Sequence, residues 1–319
     1  MLKVLRVAAS EFETPGGALD DWRLPADAVW VELVEPTRDE ELCVERELGV
    51  ALPTREEMAE IEPSSRLYQE GGATFMTARI LYNADTAQPS TQPITFVLAG
   101  HRLVTIRYFN PKSFTLFSAQ ALRQPRLCPD GPQTFVGLID AIVDRTADVL
   151  ERTQDEVDAL SREVFDPAPT DFEKVLTQLG RAQSVNAKIR ESLVSLARLA
   201  GFAGLAEQIG QDPEHRDHLS AASRDVQFLL DHSSYVSSNI SFMHDAALGL
   251  INLQQNKIIK IFSVAAVAFL PPTMIASIYG MNFEHMPELG WELGYPMAIG
   301  VMFLSAAVPL WVFRRVGWL

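Results

Sequence analysis

Two stretches near the end of the chain contain no charged residue. Ile261 to Tyr279 reads IFSVAAVAFLPPTMIASIY, and Tyr295 to Phe313 reads YPMAIGVMFLSAAVPLWVF. Each spans about nineteen residues, roughly 28 Å as a helix, which matches the hydrocarbon core of a bilayer. A core helix of a soluble protein keeps a polar face, and neither run has a charged one. The pattern predicts two membrane-spanning helices.

Earlier in the chain the periodicity is different. AVWVELV (28–34), ATFMTARILY (73–82), ITFVLA (94–99) and RLVTIRYF (102–109) are rich in β-branched and aromatic residues and predict strands. TRDEELCVERELG predicts a helix capped at Thr37 and stopped at Gly49. From about Gln133 apolar residues recur at three- and four-residue steps, a helical pattern broken by PAPT and resumed after a cap at Thr170. GFAG (201–204) and GQDP (210–213) interrupt it again. After Pro213 no proline occurs before Phe269, and the one glycine is Gly249. Continued to about Ser277, this helix would measure roughly 95 Å and would need neighbours along its flanks. The polar run SSYVSSNIS (233–241) predicts that those flanks include wet or self-associating surfaces.

At 100° per residue, one face of the long helix collects Asp245, Gly249, Asn252, Asn256, Ser263, Leu270 and Ser277. Thr273 lies further round, where Pro271 and Pro272 are expected to disturb the helix. Small polar residues in a span also serve helix packing. Asp245 and Asn256, in line with the serines, favour a pore-lining face, because intramembrane polar groups face protein or water. Two spans cannot enclose a water-filled path, so a pore requires several copies around an axis.

The 319 residues carry a formal net charge of −14, nearly all of it before residue 261. That balance argues against a nucleic-acid partner, which needs a basic face. Cys43 and Cys128 are far apart without metal-ligand spacing and suggest a reducing compartment. The six histidines are scattered, and no phosphate loop or catalytic constellation is visible, so an enzyme is not expected. The first ten residues are too quickly followed by EFETPGG to form a secretory signal. Lys257 and Lys260 precede the first span and Arg314 and Arg315 follow the second, while the loop 280–294 has neither Lys nor Arg. The positive-inside rule then puts both termini in the cytoplasm.

The loop sequence YGMNFEHMPEL, followed by GWELGYP, resembles the signature of the CorA family of divalent-cation channels. Gly280-Met281-Asn282 is the hallmark triplet and Met286-Pro287-Glu288-Leu289 its usual continuation. The likeness extends upstream through QQNKIIKIFSVAAVAFLPPTMIASIYGMN and downstream to the terminal GWL. It implies an α+β protein that assembles as a funnel-shaped homopentamer in the inner membrane. Residues 1–131 would form an α/β cytoplasmic domain and 132–260 a helical stalk. Residues 261–279 would be the pore-lining span, 280–294 the outer loop, 295–313 the second span and 314–319 a cytoplasmic tail.

The resemblance implies passage of Mg²⁺, often also of Co²⁺ and Ni²⁺, with no cofactor. The selectivity ring would be Gly280, Met281 and Asn282. Asn256, Ile259, Phe262, Leu270 and Thr273 would line the pore, with Asp245 as an acidic ring below. Intracellular Mg²⁺ would close the channel at acidic sites between subunits, best matched by Glu60 and Asp225. Three departures stand out. The C-terminal basic cluster is reduced to Arg314-Arg315, the constriction has Ile259 and Phe262 where relatives often have Met and Leu, and Glu60 replaces the usual Asp.

The chemistry suits the cargo. Mg²⁺ prefers oxygen and loses water reluctantly. Asn282 amide oxygens and Gly280 carbonyls can accept hydrogen bonds from coordinated water without stripping it. A Cys or His ring would favour Zn²⁺. Glu284 and Glu288 are expected to raise cation concentration at the mouth, as is Glu292. Two other readings compete. A ZntB-type Zn²⁺ transporter usually alters the middle of the triplet and lacks Met-Pro-Glu-Leu. A non-conducting membrane-anchored sensor or scaffold would have no need of Asn282.

Overall fold

The computed structural model describes residues 1–9, 11–16, 19, 21–60, 62, 66–86, 88–166, 170–282 and 286–317. They fall into two compact units, Met1–His244 and Asp245–Leu319.

The first unit is built on a six-stranded sheet: β1 (Leu2–Arg6), β2 (Ala28–Val34), β3 (Leu67–Glu70), β4 (Ala73–Tyr82), β5 (Ser90–Ala99) and β6 (Arg102–Arg107). Its spatial order is β1-β2-β6-β5-β4-β3. Among the described strands, only β2 and β6 run parallel; the other neighbours are antiparallel. Alternation divides the side chains between two faces. On one, Val31, Leu33, Phe75, Val97, Val104 and Ile106 pack with Val44 of α1 (Arg38–Leu48) and Met58 of α2 (Arg55–Ala59). On the other, Trp30 and Phe96 form edge and tilted ring contacts with Phe114 and Phe117 of α3 (Lys112–Arg123) and Phe135 of α4 (Gly131–Val164). Both faces are dry, so central β2 reads as a nearly continuous apolar run rather than an alternation.

Local signals fix the helix ends. Thr37 and Glu40 cap each other reciprocally at the start of α1, and Gly49 ends it in the left-handed region at φ 73°. Asp130 caps α4, and the Gly131 N–H donates to the His101 carbonyl at 2.7 Å. A Cβ on Gly131 would fall 2.3 Å from the Arg102 carbonyl carbon, so only glycine lets α4 start this close to the β5–β6 turn.

α4 and α5 (Phe172–Ala203) continue the unit together with the first part of α7 (Pro213–Tyr279); a short α6 (Glu207–Gly210) precedes α7. The cap of α5 is Asp171, whose carboxylate accepts from the Lys174 N–H, and not Thr170, whose hydroxyl donates to the Glu163 carbonyl. The carboxylate is the acceptor better matched to the helix's positive N-terminal pole. Gly201 stays inside α5, and the break comes at Gly204.

Within the first unit, the buried residues of α7 are His215, Leu219, Ala222, Val226, Leu229, Ser233, Val236, Ile240 and Met243. That is an unbroken three-four alternation, the seam of coiled-coil-like packing. Ser233 sits inside it: its hydroxyl donates to Asn186 Oδ1, and Asn186 Nδ2 donates back to the Ser233 carbonyl, both at 2.9 Å. Ser234 and Ser237 accept from Arg190 and Gln183. The serine-rich run thus meets α5 of its own chain at three positions, which narrows the wet or self-associating surface expected from its polarity.

In the second unit α7 continues to Tyr279 and passes through Pro271 and Pro272 without a break, where disturbed geometry was expected. Each proline lacks an N–H, and the Thr273 hydroxyl donates to the Phe269 carbonyl one turn back at 2.7 Å. A short 3₁₀ turn, Pro287–Gly290, leads into α8 (Gly294–Arg315). Lys260 Nζ reaches the Gly317 carbonyl at 3.4 Å, so the start of the first apolar segment lies near the end of the second.

Candidate functional site

The Gly280-Met281-Asn282 triplet stands where α7 stops. The Gly280 N–H donates to the Ala276 carbonyl at 2.9 Å, and the Met281 N–H to Ile278 at 3.2 Å. All three residues of the triplet are exposed. A helix C-terminus presents carbonyl oxygens and carries roughly half a negative charge from the aligned peptide dipoles. The triplet is therefore held at a pole that attracts cations. Its side-chain donors are oxygen and nitrogen from Asn282 and a thioether from Met281, a set that offers hydrogen bonds to bound water and no strong ligand for a bare ion.

Past the triplet, Glu284 lies outside the described residues. Glu288 sits half-buried in the 3₁₀ turn, and its carbonyl accepts from the Trp291 N–H at 3.3 Å. A Cβ on Gly294 would meet that same carbonyl at 2.4 Å, so the loop can pack onto the start of α8 only over glycine.

Within the second unit, the unbroken helix keeps Asp245, Asn256, Ser263 and Leu270 on one face. Ile259 lies about 40° from Asp245, while Thr273 and Phe262 stand about 80–100° round. Asp245 and Asn256 are exposed. Ile259, Phe262 and Leu270 are 53 %, 71 % and 67 % exposed, and the most apolar stretch of α7 has no buried residue. Such a surface is unstable in water and is stable only against lipid or other protein.

The two candidate regulatory residues lie on separate elements of the first unit. Glu60 ends α2, and its carbonyl accepts from Arg66 Nε. Asp225 lies on α7, where it adds to the like charge felt by Asp140 and Asp144 of α4. Burial, then Asp144, then Asp225 push the Asp140 carboxyl up to about 6, against the opposing pull of His218. Asp144 is raised by burial and by Asp148 and Asp225. Among the described residues of one chain, no three His, Cys, Asp or Glu side chains come together as a metal-binding group.

Two features were not anticipated from the sequence. Asp140 and Asp144 as neighbours of Asp225 depend on how α4 packs beside α7, which no local pattern encodes. The other was readable: Phe228, Tyr235 and Phe242 recur every seven residues on α7 and are 70 %, 60 % and 61 % exposed. His232 stacks on Phe228 and lies tilted against Tyr235.

Comparison with known proteins agrees with this architecture. The family described as CorA-like Mg²⁺ transporter protein matches residues 25–315. The magnesium transport protein CorA of Salmonella typhimurium is 35 % identical over 296 residues, 92 % of each chain. The complete CorA magnesium transporter of Methanocaldococcus jannaschii superposes with a TM-score of 0.79 at 17 % identity, covering 100 % of this chain and 98 % of that one. The ZntB cytoplasmic domain from Vibrio parahaemolyticus shares the fold more distantly, with a TM-score of 0.57 at 12 % identity over 78 % of this chain and 97 % of that one. The family match takes in β2 to β6 of the sheet, the long helix, the triplet and both apolar segments: the chain is a membrane protein belonging to the CorA-like Mg²⁺ transporter family.

Proposed function

We propose that this chain is the subunit of a homopentameric channel that carries Mg²⁺ across the inner membrane into the cell, with both termini cytoplasmic. The observation that carries this reading is the Gly280-Met281-Asn282 triplet at the negative pole of the first apolar helix. Five such helix ends around an axis would form a ring of carbonyl and amide oxygens. A hydrated Mg²⁺ fits there because its water, rather than the ion itself, makes the contacts. Carboxylates in the ring would hold the ion too long. Glu288 and Glu284 serve better outside it, raising the local cation concentration.

Below the filter, Thr273, Leu270, Phe262, Ile259, Asn256 and Asp245 line the path. The exposed apolar side chains among them supply the constriction, where closure by drying needs only a small change in radius. The seven-residue stripe of Phe228, Tyr235 and Phe242 supports assembly, because it offers each copy an apolar seam on the part of α7 that carries the buried heptad on its other side. Closure follows from linkage. Intracellular Mg²⁺ bound between copies at acidic positions, Glu60 and Asp225 among them, relieves repulsion and favours the closed ring. The crowded carboxylates around Asp225 support that reading.

Uptake into sealed liposomes tests it, with Mg²⁺, Co²⁺, Ni²⁺ and Zn²⁺ offered separately to the purified protein. Saturable Mg²⁺ influx is expected. Zn²⁺ influx without Mg²⁺ would overturn the cargo and keep the architecture. No influx of any ion, with the oligomer intact, would favour a sensor or scaffold.

A further inference from the structure

In a chain of net charge −14, one cavity is lined by four arginines. It measures about 670 Å³, within the range of small-molecule sites. Arg66 and Leu67 at the start of β3, Thr77 and Arg79 of β4, and Arg190, Glu191, Val194 and Arg198 of α5 form its walls. The fold makes it: β3 pairs with β4 only as far as Met76, so beyond that point the edge of β4 is open and α5 lies across it. Ser195 and Ser192 Oγ accept from the Arg79 and Leu81 N–H groups at 2.8 and 3.2 Å.

The charges do not balance. Among the described residues, Glu191 is the only acidic one in the lining, and it is already engaged by Arg79 at 2.7 Å and by Lys188 at 2.9 Å. Arg66 donates to a backbone carbonyl and Arg190 to the Ser234 hydroxyl. Among the described residues, none of Arg66, Arg190 and Arg198 has a carboxylate partner. Burial and the nearby Arg79 and Arg198 depress the Arg66 pKa against the opposing pull of Glu191, as expected where guanidiniums outnumber their counter-anions. Arginine forks match phosphate oxygens in pairs, and Leu67, Ala187 and Val194 give the cavity an apolar side for an organic portion.

We propose that this cavity binds a small polyphosphate anion, inorganic or nucleoside-linked, with Arg66, Arg190 and Arg198 as its ligands. None of its lining residues is among those assigned to the ion path, and the proposal does not rest on the transport reading.

Calorimetric titration of the full-length detergent-solubilised protein with tripolyphosphate, and in parallel with ADP, tests it in buffer free of divalent ions. Saturable binding of one anion per chain is expected. Arg190→Gln and Arg198→Gln should each weaken it roughly tenfold or more, Arg198→Lys should restore part of it, and Asn282→Ala should leave it unchanged. Stronger binding of ADP than of phosphate chains would assign the apolar wall to a nucleoside; equal binding would assign the site to the phosphates alone. No saturable binding, or binding unaffected by the Arg66/Arg190/Arg198→Gln triple variant, overturns the proposal. So does a triple variant that folds but changes oligomeric state while the parent binds no polyphosphate, because acidic side chains of a second copy would then be the natural occupant. Circular dichroism of each variant separates these outcomes from unfolding.

Discussion

Arg107 Nη2 lies 2.6 Å from Glu32 Oε1 on one face of the sheet, with both side chains at most 5 % exposed. Arg107 also donates to the Phe109 carbonyl and to Asn110 Oδ1, and its guanidinium lies over the Phe114 ring. Removing one partner of such a pair leaves a buried charge without compensation. Glu32→Ala should therefore cost about 3–5 kcal/mol, read as a lowered midpoint in denaturant unfolding. Replacing both partners with leucine should cost much less. A single mutant as stable as the parent would show that the pair is dispensable.

The open edge of β4 yields a second prediction. Ser192 and Ser195 cap backbone N–H groups that no strand reaches. Ser195→Ala should cost about 1–3 kcal/mol, since its partner is left unsatisfied under α5. Faster amide hydrogen exchange at Arg79 is the specific readout, and unchanged exchange would count against the capping role.

Asn282→Ala should lower Mg²⁺ uptake at least tenfold with the oligomer preserved. Asn282→Asp should slow it for the opposite reason, by holding the ion too tightly. Liposome flux measured at several Mg²⁺ concentrations separates the two: the alanine variant should lose saturation, and the aspartate variant should saturate earlier at a lower ceiling. Parent-like flux in both would remove the filter role.

Phe228→Ser combined with Tyr235→Ser should weaken assembly, because it removes two successive steps of the exposed seam. Light scattering coupled to size exclusion would show smaller species at low protein concentration. An unchanged mass across the concentration range would place the subunit contact elsewhere.

Asp140 makes stability depend on pH. Its pKa is raised in the folded chain, so the folded state holds a proton that the unfolded state has released. Its contribution to stability is complete below the unfolded value near 4 and is lost as pH rises through about 6. Thermal unfolding should show Tm rising as pH falls from about 7 towards 5. Asp140→Asn should raise Tm near neutrality and flatten that rise, since removing a buried charge and its repulsion with Asp144 and Asp225 outweighs the lost attraction to His218. A variant with the parent's slope would assign the pH dependence to other groups.

What could be read from the sequence follows from where the local physics is strong. The runs 28–34 and 73–82 match β2 and β4, 94–99 is the later part of β5 (Ser90–Ala99), and 102–109 stops as a strand at Arg107; these four strands announce themselves by β-branched density, and α1 by a reciprocal cap and a terminal glycine. β1 and β3 do not: Leu2–Arg6 is short, and LYQE of β3 is a polar edge strand whose place depends on its neighbour β4. α2 carries the same kind of reciprocal cap, Thr54 with Glu57, but is only five residues long, and α3, with Phe114, Phe117 and Ala121 buried on one face, begins without a side-chain cap. The choice between Thr170 and Asp171 as a cap lies below the resolution of residue preferences, because both are good caps. The triplet and the two apolar segments are legible because membrane solvation is severe. The arginine cavity is not, since its residues come from Arg66 to Arg198 and meet only once α5 crosses the edge of β4.

The parallel pairing of β2 with β6 sets an order of events during synthesis. β6 begins about 70 residues after β2 ends. At ribosomal speed, β2 waits roughly 4–14 s before its partner emerges. Meanwhile the β1–β2 pair presents an unpaired apolar edge, which favours mispairing or chaperone binding. The β4–β5–β6 meander, whose strands are neighbours in sequence, can form on its own and act as the template on which β2 docks. Slowing translation ahead of residue 102 would lengthen the vulnerable interval. The yield of folded protein should therefore be more sensitive to codon usage there than within the helices that follow.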